Sequence, residues 1–154
     1  MAVVAKIWLA LTLSPNLAGT YGIIGAVLMW SGQPKEGREA LEKSIRLDPR
    51  NPNLTLRLLD VAISYYLARE YDAAVEAARR GIRSYPDWSN TYRWLAAALG
   101  QLGRIEEAQE ALAKAIAMAP ASFDMFVKRR VPWHRPEDHA HMLEGLRKAG
   151  WPEQ

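Results

Sequence analysis

The sequence predicts an all-α fold, a solenoid of consecutive antiparallel helix pairs, and two observations carry that expectation. The first is a recurring stop signal. "LTLSP", "IRLDP", "IRSYP" and "IAMAP" each close a helix-patterned segment, at Pro15, Pro49, Pro86 and Pro120, at intervals of 34, 37 and 34 residues. Proline has no N–H and disfavours helical geometry in the residue before it, so these prolines punctuate one repeated unit. The second observation is that small and large apolar residues fall at the same phase inside each unit.

The third unit, "SNTYRWLAAALGQLGRIEEAQEALAKAIAMAP", shows the phase most clearly. Tyr92, Leu95, Ala96 and Leu99 recur at spacings of three and four and predict one buried helical stripe. Gly103 supplies the left-handed residue that closes that helix. Ile105, Ala108, Leu112, Ala115 and Ile116 form the stripe of a second helix, with alanines where the two must approach closely. Tyr21, Ile24, Gly25, Leu28, Gly32, Gly37, Leu41 and Ser44 repeat the pattern in the first unit. Leu58, Val61, Ala62, Tyr65, Ala74, Ala78 and Gly81 repeat it in the second.

Two departures belong to the second unit. Its three surplus residues lie between Pro49 and Ala62, which predicts a longer first helix or a looser inter-repeat turn. Arg69 stands where the other units carry glycine, and because a left-handed arginine is strained, this turn is expected to close differently.

At the N-terminus, residues 1–15 fall in the phase of a second helix, with Val3, Ile7 and Ala10 at its small and apolar positions. The chain is therefore expected to begin halfway through a repeat, as a piece of a larger protein. A secretory leader fits less well, because Lys6 interrupts the apolar run and a basic start is missing. At the other end, "SFDMFVKRR" predicts a short helix that turns Phe123, Phe126 and Val127 to the last repeat. "RPEDHAHMLEGLRKAG" predicts another, with Pro136, Glu137 and Asp138 in its first turn and Met142, Leu143 and Leu146 as its buried edge. Together residues 123–154 are expected to cap the solenoid.

The repeated unit resembles the tetratricopeptide repeat, which implies a right-handed superhelix with repeats at 18–51, 52–88 and 89–122. The ending "RRVPWHRPEDHAHMLEGLRKAGWPE" looks like the C-terminal region of repeat-bearing class III adenylate/guanylate cyclases of alphaproteobacteria. That resemblance implies the regulatory or assembly array of a cytoplasmic signalling protein, with the catalytic domain elsewhere. A stand-alone adaptor and a self-associating array, docking through the N-terminal half-repeat, are the alternatives. The repeat resemblance also implies a concave groove lined by the first helix of each unit. Its inward positions are Met29 and Trp30, then Leu56, Leu59, Ile63 and Tyr66, then Asn90, Arg93, Ala97 and Gln101. Such a groove takes a protein or peptide partner, and Arg93 could pair with a carboxylate on it. Ala26 and Ala97 stand where chaperone-binding arrays use asparagine, so that partner class is disfavoured.

Composition narrows the alternatives. With 49% hydrophobic and 24% charged residues the chain is expected to fold, and a net charge of +3 is too balanced to imply nucleic acid. The short basic runs at 79–83 and 128–130 read as solvated helix faces. Without cysteine there is no disulfide, thiolate metal site or cysteine nucleophile. No apolar run reaches about 18 residues, so no membrane span is expected. The three histidines, His134, His139 and His141, lie within eight residues and invite a metal reading. His139 and His141 are two apart, about 200° around a helix, so they point to opposite sides. No metal, cofactor or catalytic residue is expected.

Overall fold

The structure, a computed structural model, describes residues 5, 6, 9, 12–14 and 17–152. Among the described residues from Ala18 on, eight helices follow one another: α1 (Ala18–Trp30), α2 (Pro34–Leu47), α3 (Leu54–Leu67), α4 (Tyr71–Ser84), α5 (Ser89–Gln101), α6 (Ile105–Met118), α7 (Pro120–Lys128) and α8 (Pro136–Lys148). No strand occurs among the described residues. Before α1 the described positions 5, 6, 9, 12 and 13 are helical, whereas Val3, Ile7 and Ala10 lie outside the described residues.

The pairs α1/α2, α3/α4 and α5/α6 are held by small residues at their crossings. A Cβ on Gly25 would stand 2.7 Å from the Gly37 carbonyl oxygen, and one on Gly37 would stand 2.6 Å from that of Gly25. Ala62 with Ala74, and Ala96 with Ala108, take the equivalent places and are buried. Large side chains then fill the space between layers: Leu41, Tyr66, Val75 and Leu99 are all at most 1% exposed. Consecutive pairs stack, with α2 against α3 and α4 against α5, while α1, α3 and α5 make one shared face. Arg38 reaches Glu70 and Arg79 reaches Glu107 across those junctions.

The turn inside each pair closes the same way. In α1 the Gln33 N–H donates to the Leu28 carbonyl, in α3 Glu70 to Tyr65, in α5 Arg104 to Leu99, and after α8 Trp151 to Leu146. Each is the wrap-around bond that follows a left-handed residue at the helix end. Gly32, Gly103 and Gly150 supply that residue with φ of 91°, 71° and 95°. Arg69 supplies it in the second pair with φ 62°, so the expected different closure is corrected: arginine is forced into the same geometry. The surplus of the second unit lies mainly in the turn before α3. Four residues separate Pro49 from that helix, and Asp48 organises them by accepting from the Arg50 backbone N–H and the Asn51 side chain.

The C-terminal helices do not form one cap. Helix α7 begins at Pro120 and covers α6 with Phe123 and Val127, both buried. Helix α8 instead returns along α5 on the face shared by the first helices of the pairs. Ala97 meets Gly145 and Gln101 meets Lys148, so α8 and α5 run in the same direction.

A left-handed non-glycine residue costs on the order of 1–2 kcal/mol, partly offset in a glycine variant by its freer unfolded chain. Arg69→Gly is therefore expected to raise the melting temperature by about 2–4 °C, roughly 1 kcal/mol for a chain of this size, as followed by circular dichroism. An unchanged or lower value would contradict the strain.

Candidate functional site

The shared face of α1, α3 and α5 is where the sequence places the groove, and the structure divides it into two halves. Toward the C-terminus it is filled by the chain itself. The Tyr66 hydroxyl donates to the His141 carbonyl oxygen at 2.6 Å, and the Gln101 amide approaches the same hydroxyl at 3.3 Å. The Tyr66 ring stacks on His141 with centroids 4.5 Å apart and meets Trp94 edge-on at 5.3 Å. His141 Nε2 lies 2.8 Å from the Tyr71 hydroxyl, and Lys148 Nζ donates to Gln101 at 2.8 Å. Met142 and Leu146 complete the seal. Further along, the His134 ring stacks on Trp30 at 3.6 Å, and the Arg135 guanidinium lies against Gly32 in the turn after α1.

The segment thus occupies part of the face on which the inward residues lie, and the core between the helix pairs takes in others. Met29, Leu59, Ile63, Tyr66 and Arg93 are buried, at 0%, 5%, 3%, 0% and 4% exposure. Trp30, Asn90 and Gln101 are half-buried, beneath His134, beside Arg93 and beneath Lys148 respectively. Leu56, at 43%, remains exposed. The C-terminal segment touches Trp30, Tyr66, Ala97 and Gln101 on this face.

Burial leaves its mark on the charges. Arg93 donates to Asn90 Oδ1 at 3.0 Å and lies 4.1 Å from the Phe126 ring centroid, and its Nε is buried without a hydrogen-bond partner. No carboxylate pairs with it among the described residues, and burial pulls its pKa down to about 9. A buried charge without a counter-ion is costly, by several kcal/mol in a typical interior. Burial likewise pushes the Tyr66 hydroxyl well above its ordinary range. His134 is pulled down to about 4, first by burial and then by the Arg93 charge. His141 is lowered, also chiefly by burial.

The N-terminal half of the face stays open. Ala26, Val27, Trp30, Leu56 and Trp133 wall an apolar cleft of about 410 Å³, with Arg57 and Asp60 at its floor. Arg57 Nη1 and Asp60 Oδ2 are 3.7 Å apart, and burial pushes the Asp60 carboxyl up to about 7 against the opposing pull of Arg57. Trp133 is 67% exposed. Sequence reasoning missed this wall because Trp133 lies in a proline-flanked connector outside any helical period. It also missed Gly145, whose place inside a helical pattern was itself a signal of close backbone approach.

The histidines do not converge. His134 stacks on Trp30, His139 Nε2 lies 3.0 Å from the Phe126 carbonyl oxygen, and His141 meets Tyr71. Asp138 is held by two bonds from Arg135 at 2.9 Å, and Glu137 lies 3.3 Å from the same guanidinium. Among the described residues no three metal-ligating side chains stand together. No helix described here is long and apolar enough to cross a membrane.

The architecture is that of a tetratricopeptide-repeat solenoid, and the sequence matches the tetratricopeptide repeat over residues 18–51 and 90–122. The pair between those stretches has the same helix–turn–helix geometry. The chain superposes on a crystal structure of MamA with a TM-score of 0.68 at 21% identity, covering 93% of this chain and 82% of that one. It also superposes on PilW, a widely conserved type IV pilus biogenesis factor, with a TM-score of 0.71 at 18% identity, covering 95% of this chain and 64% of that one. At these identities the likeness shows the fold. No curated protein matches the chain.

Two outcomes follow from the packing of α8. Tyr66→Phe removes a buried hydroxyl bond and is expected to cost about 1 kcal/mol. Amides of 141–148 should then exchange faster with deuterium than those of α6, and equal protection would show that the bond contributes nothing to docking. His134 protonates near 4 in the folded chain against 6.5 when unfolded, so its contribution is complete above pH 6.5 and is lost as pH falls toward 4. Arg93, His139 and Arg130 oppose its charge and Asp138 favours it. Wild type is expected to lose more melting temperature over that window than His134→Phe; parallel curves would contradict the assignment.

Proposed function

We propose that this chain is a non-catalytic protein–protein interaction scaffold that receives its partner at the open half of the concave face. The observation that supports this reading is the apolar cleft between Val27, Leu56 and Trp133. Large apolar side chains around a concavity, with one indole 67% exposed, are what a partner's anchoring side chains bury. The fold suits the role, since stacked helix pairs present an extended concave surface on a rigid frame.

A finer reading rests on the resemblance of the C-terminal motif: the array belongs to a cytoplasmic adenylate cyclase-type signalling protein and regulates or assembles it. An antibody against the array, used on the native host, is then expected to detect a polypeptide far longer than 154 residues. Detection of nothing beyond that length would overturn the cyclase reading and leave a stand-alone adaptor.

The scaffold reading is tested with affinity capture by wild type, Leu56→Asp and Trp133→Ala. Both residues are exposed, so melting temperatures are expected to stay within about 2 °C of wild type, as surface substitutions usually change stability little. Recovery of the wild-type partner is expected to fall at least about tenfold in each variant. Undiminished recovery in both would remove the cleft from the interface.

A further inference from the structure

The occupied half of the face carries a second inference, which rests on the scaffold reading and concerns how that site is regulated. We propose that the C-terminal segment, residues 131–148, is an exchangeable internal ligand of the concave face, displaced by an acidic amphipathic helix of a partner that brings a carboxylate to Arg93. Four observations converge on this.

Arg93 sits on the binding face at 4% exposure with no ion-pair partner among the described residues, and its Nε is unsatisfied. Phe126 of α7 covers its guanidinium, and the neighbouring segment does not satisfy it: Asp138 is committed to Arg135, Glu137 to the same guanidinium, and Glu144 to Lys148. The closed form thus leaves unmade an interaction that a foreign carboxylate could make.

The seal itself is helix-in-groove recognition within one chain. Apolar anchors at Met142 and Leu146, with glycine at the closest approach, fit a face that offers Ala97 and Gly100. Few side-chain hydrogen bonds hold α8 to the array, chiefly those of Tyr66, Tyr71 and Gln101. Another helix with the same spacing can therefore take the same place.

The connector between α7 and α8, residues 129–135, is non-helical and contains Pro132. Among the described residues Arg130 bonds to the carbonyls of Pro132 and His134 and to none of the array, so the hinge is held by local contacts. Finally, Trp133 on the connector also walls the open cleft. A partner anchored there touches the segment it must displace, and the open and occupied halves are continuous.

The chain has no cysteine, so a reversible lock can be installed in the full protein. Gln101→Cys with Lys148→Cys, joined by a short cleavable thiol cross-linker, ties α8 down where Lys148 already meets Gln101. The probes are two fluorescent peptides of residues 131–152, one native in sequence and one carrying His134→Glu, because His134 stacks on Trp30, whose ring meets Trp94 beside Arg93. A tethered segment competes at an effective concentration of roughly millimolar, so the native peptide is expected to bind weakly.

The acidic peptide is expected to bind the unlocked chain at least about tenfold tighter, and Arg93→Gln should erase that preference. Cross-linking should abolish binding and cleavage of the cross-link should restore it, which separates displacement from misfolding. Equal binding of both peptides, or binding undiminished by the lock, overturns the proposal. So does failure of both peptides to bind the unlocked chain. Capture of the partner through Leu56 and Trp133, measured separately on locked protein, reports on the scaffold reading alone.

Discussion

The close approach of α8 to α5 is the contact on which the inner face depends. A Cβ on Gly145 would stand 2.6 Å from the Ala97 carbonyl oxygen and 2.5 Å from the Tyr66 hydroxyl, so only glycine lets the backbones come together. With that space closed, Tyr66 can reach the His141 carbonyl oxygen and Lys148 can reach Gln101. The residue that relieves the crowding on one side is Gly100, which faces the Gly145 carbonyl oxygen. A larger residue at either position would push α8 outward and take its apolar anchors with it. Helix α8 also ties the array together lengthwise, since the segment that contains it reaches Gly32 and Trp30 in the first pair, Tyr66 in the second and Gly100 in the third. Repeat arrays are held mainly by nearest-neighbour interfaces, and this segment adds a contact that skips neighbours.

The two halves of the face differ electrostatically as well as sterically. Beneath the Phe126 ring of α7, Arg93 is buried without an acid, and burial together with that charge presses His134 toward its neutral form. In the open cleft the arginine and the carboxyl come as a pair, Arg57 with Asp60, and burial pushes the carboxyl toward its neutral form. One half is thus a sealed site with an unmatched positive charge, and the other is an apolar opening above an arginine–carboxyl pair. Exposed ion pairs elsewhere, such as Lys128 with Asp124, contribute little by comparison.

Much of the frame was legible in residue spacing. The prolines, the small residues at helix crossings and the glycines at turns act through local sterics, and local sterics are written in the order of residues. Gly103 and Gly32 are examples, and so are Ala96 and Ala108. The gathering of Tyr66, Arg93 and Gln101 on one face was readable too, because helical periodicity sets which side chains share a side. Arg69 marks where such reasoning stops. Its preference argued for a different turn, and the packing of α3 on α4 imposed the left-handed geometry on it.

Sequence alone determined that this chain is a stack of antiparallel helix pairs with an inward-facing set of side chains. Only the tertiary structure decided that α8 lies on that set instead of covering the end of the stack. Both placements bury the same edge, Met142 and Leu146, so amphipathicity could not choose between them. The choice was made by the match between Gly145 and the surface of Ala97 and Gly100, and by a connector that stacks His134 on Trp30. Those are contacts between residues about 50 to 100 positions apart, and no local pattern encodes them.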